Sequence, residues 1–547
     1  MKTNPTRRRA LAVAVAATLL LAGCAAGSTE EEASSGEALT EIVEAIPAYP
    51  TSFSFDGLGS DAVEILQQIN ATLIRNPYVE SEADPTAMTQ DLYDWEPLLA
   101  ESYDVSEDGL VYTFHLRTDV VSQAGNPLTA DDVLYSWERK FGAKTGITSA
   151  ISLPAITDPA AQIAKVDDHT VTFTLAAEGH GFPFLALITK ISGHIYDSTL
   201  LKEHATADDP WAVQWSSENG NYGFGAYNIA SFRDGEEIVL EANPDYALGE
   251  VDIKKITMRV VGDAANRALL LKNGDVDAAT QLRPADVADL STDPNVATYS
   301  AETNNFLWTM LNTTAAPLDD PLVRQAFFYA VPYEQIIDEV YKGRADPTVG
   351  LLDDRSPGYD DTGLLEQSFD PEKSLELLEE AGVETPVQVS LLMSNAQPDL
   401  EEAAIQMQSF AGEAGFEFSI EVVPTATVTE RVNAKDYNVR MLRDMSISFE
   451  SMPYSLLLAY PQNNPARNST GWGTPEYYAA VQAGVDAGDS LSDEAGAFWN
   501  EAQNYWQEGR PQIQVARVQP LNAFSSALTG FGQRSDNIVD WSIVSAK

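Results

Sequence analysis

The chain has 547 residues, of which 82 are Asp or Glu and 33 are Lys or Arg, giving a formal net charge of −49. So acidic a surface makes nucleic acid a poor partner. Cys24 is the only cysteine, which excludes an intramolecular disulfide, a thiol nucleophile in the body of the chain and a metal site built on cysteines. Stability must therefore come from core burial, which a chain of this length can supply.

The N-terminus has the features of an export signal. Four basic residues precede an apolar run at 10–22, which is too short to span a membrane and is typical of a secretory signal. The sequence Leu-Ala-Gly-Cys at 21–24 resembles the lipobox of bacterial lipoproteins, which implies cleavage before Cys24 and a lipid on its sulfur. We therefore expect a signal peptide at 1–23 and a lipidated flexible tether at 24–40, small and acidic, that holds the protein at the extracellular face of the membrane or in a periplasm.

A strand, a turn and a helix are predicted between Leu98 and Trp137. Polar and apolar residues alternate from Leu110 to Arg117, which is typical of a half-buried strand. A Gly-Asn-Pro turn follows at 125–127, and Thr129 can cap the next helix. The alternating segment His169–Ala176 is predicted to pair in the same sheet.

Similar periodicities recur to the end of the chain. They predict strands, the first of them an entering strand and turn, at Thr40–Phe55, Val251–Val261, Asn305–Leu311, Pro386–Met393, Phe416–Val423 and Pro511–Val518. They predict helices at Asp61–Leu73, Asp263–Lys272, Phe369–Gly382, Ala403–Ala414, Tyr478–Ala487 and Ala495–Gln507. In the Phe369–Gly382 helix, Leu375 and Leu378 are expected to pack inward. Alternating strands and helices indicate an α/β fold.

Several motifs in this order resemble one protein family. They are LAESY-x-V-S-x-DG-x-x-YTF-x-LR from residue 99, G-x-G-x-Y followed by N-P-D-Y at 243–246, D-A-A-x-x-A-L-L-L-K-x-G-D-V-D at 263–277, V-R-Q-A at 323–326 and F-D-P-E-K-S-L-E-L-L-E-E-A-G at 369–382. The set resembles the peptide- and nickel-type, family 5, solute-binding proteins of ABC transporters. Val331-Pro332 replaces the usual Ile-Asp after the V-R-Q-A motif.

The resemblance implies a two-lobed periplasmic-binding-protein fold, with mixed sheets flanked by helices and a hinge between the lobes. Residues 41–275 together with 516–547 are expected to form lobe I, with an extra subdomain at 59–194. Residues 276–515 are expected to form lobe II. Such a protein captures oligopeptides or dipeptides between its lobes and delivers them to a membrane permease. We expect a monomer without a cofactor or a metal ion.

Charged candidates for the ligand site lie in the stretch Tyr437–Pro453. In dipeptide-binding relatives an Asp in this region binds the ligand amine, but the family's Gly-Trp and Asp-Pro are missing here. Asp444 or Glu450 lies near the expected position, and spacing does not decide between them. Arg443 is a candidate partner for a ligand carboxylate, since a buried carboxylate needs an opposite charge.

Aromatic residues are the other candidates for ligand contacts. Phe224 lies between two glycines, Trp308 lies on the predicted strand Asn305–Leu311, and Trp472 follows Asn-Ser-Thr-Gly. Each can flank a ligand, and each also fits an ordinary core position.

Three other functions remain open at this point. Aromatic walls without charges for peptide termini would suit an oligosaccharide, and the class also includes metal-chelate binders, although the five histidines are scattered. A secreted hydrolase with paired carboxylates is a more distant alternative. The chain has no Gly-x-Ser-x-Gly and no His-Glu-x-x-His motif.

Overall fold

Two mixed β-sheets organise most of the chain. The computed structural model describes residues 39–50, 52–54, 60–143, 155–445 and 468–547, with the side chains of 60–62, 444 and 445 left out. The predictions for Cys24, for the signal peptide, for nearly all of the tether and for Glu450 lie outside the described residues.

The strands, numbered in chain order, are β1 (Glu41–Ile46), β2 (Ile74–Arg75), β3 (Tyr78–Glu80), β4 (Met88–Gln90), β5 (Glu96–Pro97), β6 (Ala100–Val105), β7 (Val111–Leu116), β8 (Ile163–Asp167), β9 (Thr170–Thr174), β10 (Tyr227–Arg233), β11 (Glu237–Ala242), β12 (Lys255–Val260), β13 (Ala278–Ala279), β14 (Val296–Ala297), β15 (Asn305–Leu311), β16 (Ala345–Asp346), β17 (Val387–Ser394), β18 (Phe416–Val423), β19 (Val439–Met445), β20 (Gln512–Val518), β21 (Ala523–Ser525), β22 (Leu528–Thr529), β23 (Gly532–Gln533) and β24 (Ser545–Ala546).

The helices are α1 (Ser60–Ile69), α2 (Ala130–Gly142), α3 (Pro159–Gln162), α4 (Gly181–Ile188), α5 (Ser198–His204), α6 (Val213–Glu218), α7 (Ala264–Asn273), α8 (Pro284–Leu290), α9 (Pro321–Tyr329), α10 (Tyr333–Gln335, continued as a π-helix over Ile336–Val340), α11 (Pro371–Ala381), α12 (Pro398–Ala411), α13 (Thr425–Asn433), α14 (Pro475–Asp486) and α15 (Asp493–Gly509), with 3₁₀ turns at Glu178–His180 and Ile191–Gly193.

The first sheet has the strand order β10-β11-β12-β1-β13-β21-β14. Its centre is β1, which pairs in parallel with both β12 and β13. Ile42 and Ile46 on β1 point into one apolar core, and Ala45 points into another. The strand is therefore buried on both faces, as expected for the centre of a sheet covered by helices.

The second sheet has the order β16-β20-β15-β19-β17-β18. Strands β17, β18 and β19 are parallel, while β15 runs antiparallel to β19 and β20. One face of this sheet carries a large core that includes Val439 and Met441. The other face packs against α14 and α15 through a cluster rich in tryptophan.

A separate four-stranded antiparallel sheet, β6-β7-β9-β8, contains the segment with the densest family motif. As predicted, Tyr112, Phe114 and Leu116 are buried on one face of β7, and β9 is its neighbour. The predicted cap of α2 is also confirmed, because Thr129 is its N-cap residue and donates its amide to Asp132 Oδ2 at 2.8 Å.

The chain passes from the first sheet to the second after β14 and back after β20, and the expected lobe boundaries near 276 and 516 stay predictions. Strands β13 and β14 belong to the first sheet, and β20 pairs with β15 in the second. Helix α7 ends at Gly274, close to the expected lobe boundary. After it the chain adds β13, which pairs in parallel with β1 in the first sheet. The crossing segments are therefore 298–304 and 519–522.

One packing prediction was wrong. Leu375 on α11 is 41% exposed, whereas Leu377 and Leu378 are buried. The predicted capping of this helix is confirmed: Asp370 accepts a hydrogen bond from the Lys373 amide, Pro371 is the first helical residue, and Gly382 ends the helix with a φ of 69°. The cap sets the start of the helix, but which side chains are buried depends on the packing of α11 against α9.

Candidate functional site

A cavity of about 850 Å³ lies between the two sheets. It is lined by residues that follow the carboxyl ends of parallel strands in both sheets, the position at which open α/β sheets bind ligands. From the first sheet these are Pro47 after β1, Gly262–Asp263 after β12 and Gln281–Arg283 after β13. From the second they are Ser394–Asp399 at and after the end of β17 and Thr425 after β18, while Arg440–Arg443 lie within β19 itself.

Four helices begin at this cavity. Asp263 caps α7, Arg283 precedes α8, α12 starts at Pro398, and α13 starts at Thr425. The unpaired amides at a helix start carry partial positive charge. The cavity also contains charged side chains of both signs, namely Arg267, Arg283, Arg440 and Arg443 against Asp263, Asp399 and Asp536. Such a lining suits a ligand that carries charge itself.

The cavity opens where β17 and β19 separate. These strands pair only at Leu391–Val439 and Leu392–Arg440. Beyond that point the side chain of Gln397 replaces the missing strand: its Nε2 donates to the Arg443 carbonyl at 2.9 Å, and its Oε1 accepts from the Arg443 amide at 3.2 Å. The Gln397 side chain therefore satisfies the backbone of β19 while leaving space beside it.

Arg443, predicted to bind a ligand carboxylate, lines this cavity. Its Nε lies 3.1 Å from Oδ2 of Asp399, and both side chains are buried, with 9% and 2% of their surface exposed. The Tyr341 hydroxyl donates to the same carboxylate oxygen at 2.9 Å. Burial and the adjacent Asp399 charge raise the pKa of Tyr341 well above its ordinary value, so the phenol stays a donor.

Arg267 holds the opposite wall together. Its guanidinium donates to four backbone carbonyls, of Val261 at 2.7 Å, Gly262 at 3.0 Å, Thr280 at 3.0 Å and Gln281 at 2.6 Å. It thereby links the segment after β12 to the segment after β13. We assign Arg267 to positioning the wall, since its hydrogen bonds go to the protein backbone.

The predicted aromatic residues lie elsewhere. Phe224 is 1% exposed in the core of the four-stranded sheet. Trp308 and Trp472, 7% and 8% exposed, share the tryptophan-rich cluster on the outer face of the second sheet. None of the three is among the described residues that line the cavity. Their role in ligand binding stays a prediction.

The glycines beside Phe224 have a structural role. A Cβ on Gly225 would lie 2.3 Å from the Ile69 carbonyl carbon and 2.4 Å from the Gln68 oxygen. We expect Gly225→Ala to lower the free energy of unfolding by about 2–3 kcal/mol, because backbone atoms must move. Gly412→Ala is the control, since its Cβ would meet nothing within 4 Å. Urea denaturation compares the two, and equal stabilities would contradict the close approach.

The two predicted carboxylates remain untested. Asp444 lies on β19 opposite Phe306, but its side chain is not described, and Glu450 is outside the described residues. Sequence reasoning missed Arg267, Arg283, Gln397 and Asp399, which line the cavity. Only their position in the sequence could have indicated these residues, because each comes shortly after a strand of a parallel pair.

The described ranges contain neither a metal-binding cluster nor a membrane-spanning helix. Nowhere in them do three or more His, Cys, Asp or Glu side chains stand close enough together to hold a metal ion. Likewise, no described helix combines the length and the apolar character needed to span a bilayer.

Several known proteins are similar to this chain in sequence. The probable D,D-dipeptide-binding periplasmic protein DdpA of Escherichia coli (strain K12) is 29% identical over 348 residues, which are 63% of this chain and 64% of the relative, just under two thirds of its length. The dipeptide-binding protein of Pseudomonas aeruginosa is 27% identical over 455 residues, 80% of this chain and 83% of that protein.

A solved structure has the same fold. The ABC transporter-associated periplasmic binding protein DppA from Helicobacter pylori, in complex with the peptide STSA, matches with a TM-score of 0.77 at 22% identity, covering 92% of this chain and 98% of that one. The predicted α/β fold of mixed sheets flanked by helices is thus confirmed. A profile of bacterial extracellular solute-binding proteins, family 5, middle region, matches residues 94–466. The resemblance inferred from the motifs is confirmed, and the chain belongs to the family 5 bacterial extracellular solute-binding proteins.

Proposed function

We propose that this protein binds peptides in the cavity between its two sheets and delivers them to the permease of an ABC importer. The observation that carries the proposal is the convergence of parallel-strand carboxyl ends from both sheets on one cavity. Family membership supports a solute-binding role, and two relatives named as dipeptide-binding support a peptide as the solute.

The two sheets are the rigid parts of two lobes that close on the ligand. A peptide that contacts the segments after β12 and β13 on one side, and the segments after β17 and β18 together with β19 on the other, stabilises the closed state by its differential affinity. The crossing segments 298–304 and 519–522 are the hinge. Thr303 Oγ1 donates to the Val518 carbonyl at 2.6 Å, so the two crossings are tied to each other.

The chemistry of the cavity suits a short peptide. Its volume lies within the roughly 300–1,000 Å³ of small-molecule sites. Arg443, supported by Asp399, and the helix starts at Pro398 and Thr425 provide positive charge for the ligand carboxylate. Asp444 or Glu450 remains our assignment for the ligand amine. We assign the protein no enzymatic reaction, because the family to which it belongs consists of solute-binding proteins.

In this proposal the N-terminal segment determines where the protein is located relative to the membrane. Residues 1–23 direct export, and a lipid on Cys24 holds residues 24–40 and the folded body at the outer face of the membrane. The named relatives include periplasmic proteins. A flexible acidic tether lets the loaded protein reach the permease while it stays attached.

Calorimetry on residues 39–547 tests the function. We expect saturable binding of short peptides and an affinity loss of about 10- to 100-fold for Arg443→Met, because one charge-assisted contact is worth about 1.5–3 kcal/mol. Arg431→Met is the matched control, since Arg431 pairs with Glu421 outside the cavity lining. Saturable binding of oligosaccharides or metal chelates without any peptide binding would refute the proposal.

A further inference from the structure

A turn beside the four-stranded sheet contacts a loop beside the second sheet. The turn is the 3₁₀ segment Glu178–His180, which follows β9, and the loop joins α14 to α15. Ser490 Oγ donates to the Gly179 carbonyl at 2.5 Å, and this hydrogen bond is buried. The contact lies outside the cavity, because neither Gly179 nor Ser490 is among the described residues that line it.

The two backbones also fit closely against each other. A Cβ on Gly179 would lie 1.9 Å from the carbonyl oxygen of Val485 and 2.8 Å from its carbonyl carbon. Val485 and Ser490 are both buried. Only glycine allows so close an approach to backbone atoms, because any larger residue would bring its Cβ into them.

Aromatic packing fixes the turn to the four-stranded sheet. The turn leads directly into α4, whose Phe182 stacks on Tyr93 with ring centres 5.7 Å apart. Phe184 on the same helix lies edge-on to Tyr112 of β7 at 5.2 Å. Both phenylalanines are buried, so the turn follows any movement of this sheet.

The four-stranded sheet is in turn tied to the first sheet. Gln123, in the connection between β7 and α2, donates Nε2 to the carbonyl of Ile69 at 2.7 Å and to that of Tyr227 at 2.9 Å. Its Oε1 accepts from the Gly223 amide at 2.9 Å. Because Tyr227 begins β10 of the first sheet, the turn at Gly179 moves with the first sheet.

The loop that carries Ser490 moves with the second sheet. Trp499 Nε1 donates to the Ser490 carbonyl at 3.0 Å. Trp499 and Val485 both belong to the tryptophan-rich cluster on the outer face of the second sheet. The contact between Gly179 and Ser490 therefore joins the two halves that the crossing segments 298–304 and 519–522 connect.

We propose that Gly179 and Ser490 form a latch between the two halves, which engages when a bound peptide closes the lobes and so adds to peptide affinity from outside the cavity. A displacement of about 1 Å is enough to break such a hydrogen bond, so rotation about the crossing segments opens the latch. Any contact made only in the closed state raises the population that binds tightly. This inference rests on the proposed function.

Gly179→Ala tests the latch, because its methyl group prevents the approach to the Val485 carbonyl. In calorimetry on residues 39–547, we expect its peptide affinity to be about 10-fold weaker than that of the wild type. Ser490→Ala removes only the hydrogen bond and should weaken binding about 3- to 10-fold. Gly412→Ala is the control that should bind as the wild type does, since its Cβ would meet nothing within 4 Å.

Urea denaturation without ligand separates a latch from a permanent contact. A contact made only on closing does not stabilise the open, ligand-free protein. Gly179→Ala without peptide should therefore unfold at the same urea midpoint as Gly412→Ala and the wild type. A midpoint lowered together with the affinity would overturn the latch, because the contact would then belong to the fold in every state.

Spin labels on the two halves follow the closing directly. Residues 39–547 contain no cysteine, so Glu107→Cys in the β6–β7 turn and Gln482→Cys on α14, both exposed, provide unique labelling sites. A peptide concentration that half-saturates the wild type should shift the label distance there but hardly at all in Gly179→Ala. Equal peptide affinities of these two proteins would overturn the latch and leave the proposed function standing. A wild type that binds no peptide would overturn both.

Discussion

Replacing Arg267 with methionine should lower the free energy of unfolding by about 3–5 kcal/mol. The substitution removes four hydrogen bonds to the carbonyls of Val261, Gly262, Thr280 and Gln281, and Arg267 as a residue is only 2% exposed. An unsatisfied buried acceptor costs roughly 1–3 kcal/mol. Three of the four hydrogen bonds are only partly buried. Water can therefore replace some of them, which keeps the total loss of stability below the sum of four separate losses.

Chemical denaturation of the variant and of Lys272→Met measures this effect. Lys272 lies on the same helix α7 but is 43% exposed, and its pair with Asp289 is a surface ion pair. We expect the control to change stability by less than about 1 kcal/mol. Peptide affinity should fall with Arg267→Met as well, because the segments after β12 and β13 lose their common support. Equal stabilities of the two variants would show that the wall does not depend on Arg267.

Asp399→Asn should be the second most damaging change, with a loss of about 3 kcal/mol in stability. The substitution preserves shape but leaves the buried Arg443 guanidinium without the carboxylate 3.1 Å away. Removing one partner of a buried pair costs far more than replacing both, because a charge stays in the low-dielectric interior. The Tyr341 hydroxyl can still donate to the asparagine oxygen, so the loss reports on charge.

A double-mutant cycle isolates this pair. Asp399→Asn combined with Arg443→Met should be more stable than Asp399→Asn alone, since no unpaired charge remains. The double variant should nevertheless bind peptide as weakly as Arg443→Met. Additive losses in stability would mean that Asp399 and Arg443 do not act as a pair.

Local patterns predicted the elements well where periodicity and capping were strong. Strands β15 and β18 have the predicted bounds, Asn305–Leu311 and Phe416–Val423, because apolar runs between turn residues leave few alternatives. The caps at Thr129 and Asp370 were also predicted from residue type alone. These features depend on neighbours within one or two turns of chain.

Features that depend on distant contacts were not predictable in the same way. Leu375 and Leu377 fit a helix pattern equally well, and the packing of α11 against α9 decides which one is buried. Strand β20 straddles the expected lobe boundary at 516, and its partner β15 lies about two hundred residues earlier in the chain. The periodicity of a strand does not indicate which other strand it pairs with.

The candidate site shows the same limit. Arg443 was predicted from a family position and lines the cavity, whereas Asp399, its partner, lies on a helix more than forty residues away and carried no motif. Trp308 and Trp472 were predicted to contact the ligand because large aromatic side chains can flank one. In the structure they pack with Trp499 and Trp506 in one cluster. The carboxyl ends of the parallel strands indicate where the cavity lies, but this indication is available only once the strand order is known.

Hydrogen exchange with a saturating peptide tests the central claim most directly. The account predicts slower amide exchange in two sets of segments at once, 262–267 with 281–283 from the first sheet and 394–399 with 425–429 from the second. The exposed helix residues around Leu375 should exchange at an unchanged rate. Protection confined to one sheet, or placed away from the cavity, would contradict a peptide held between two closing halves.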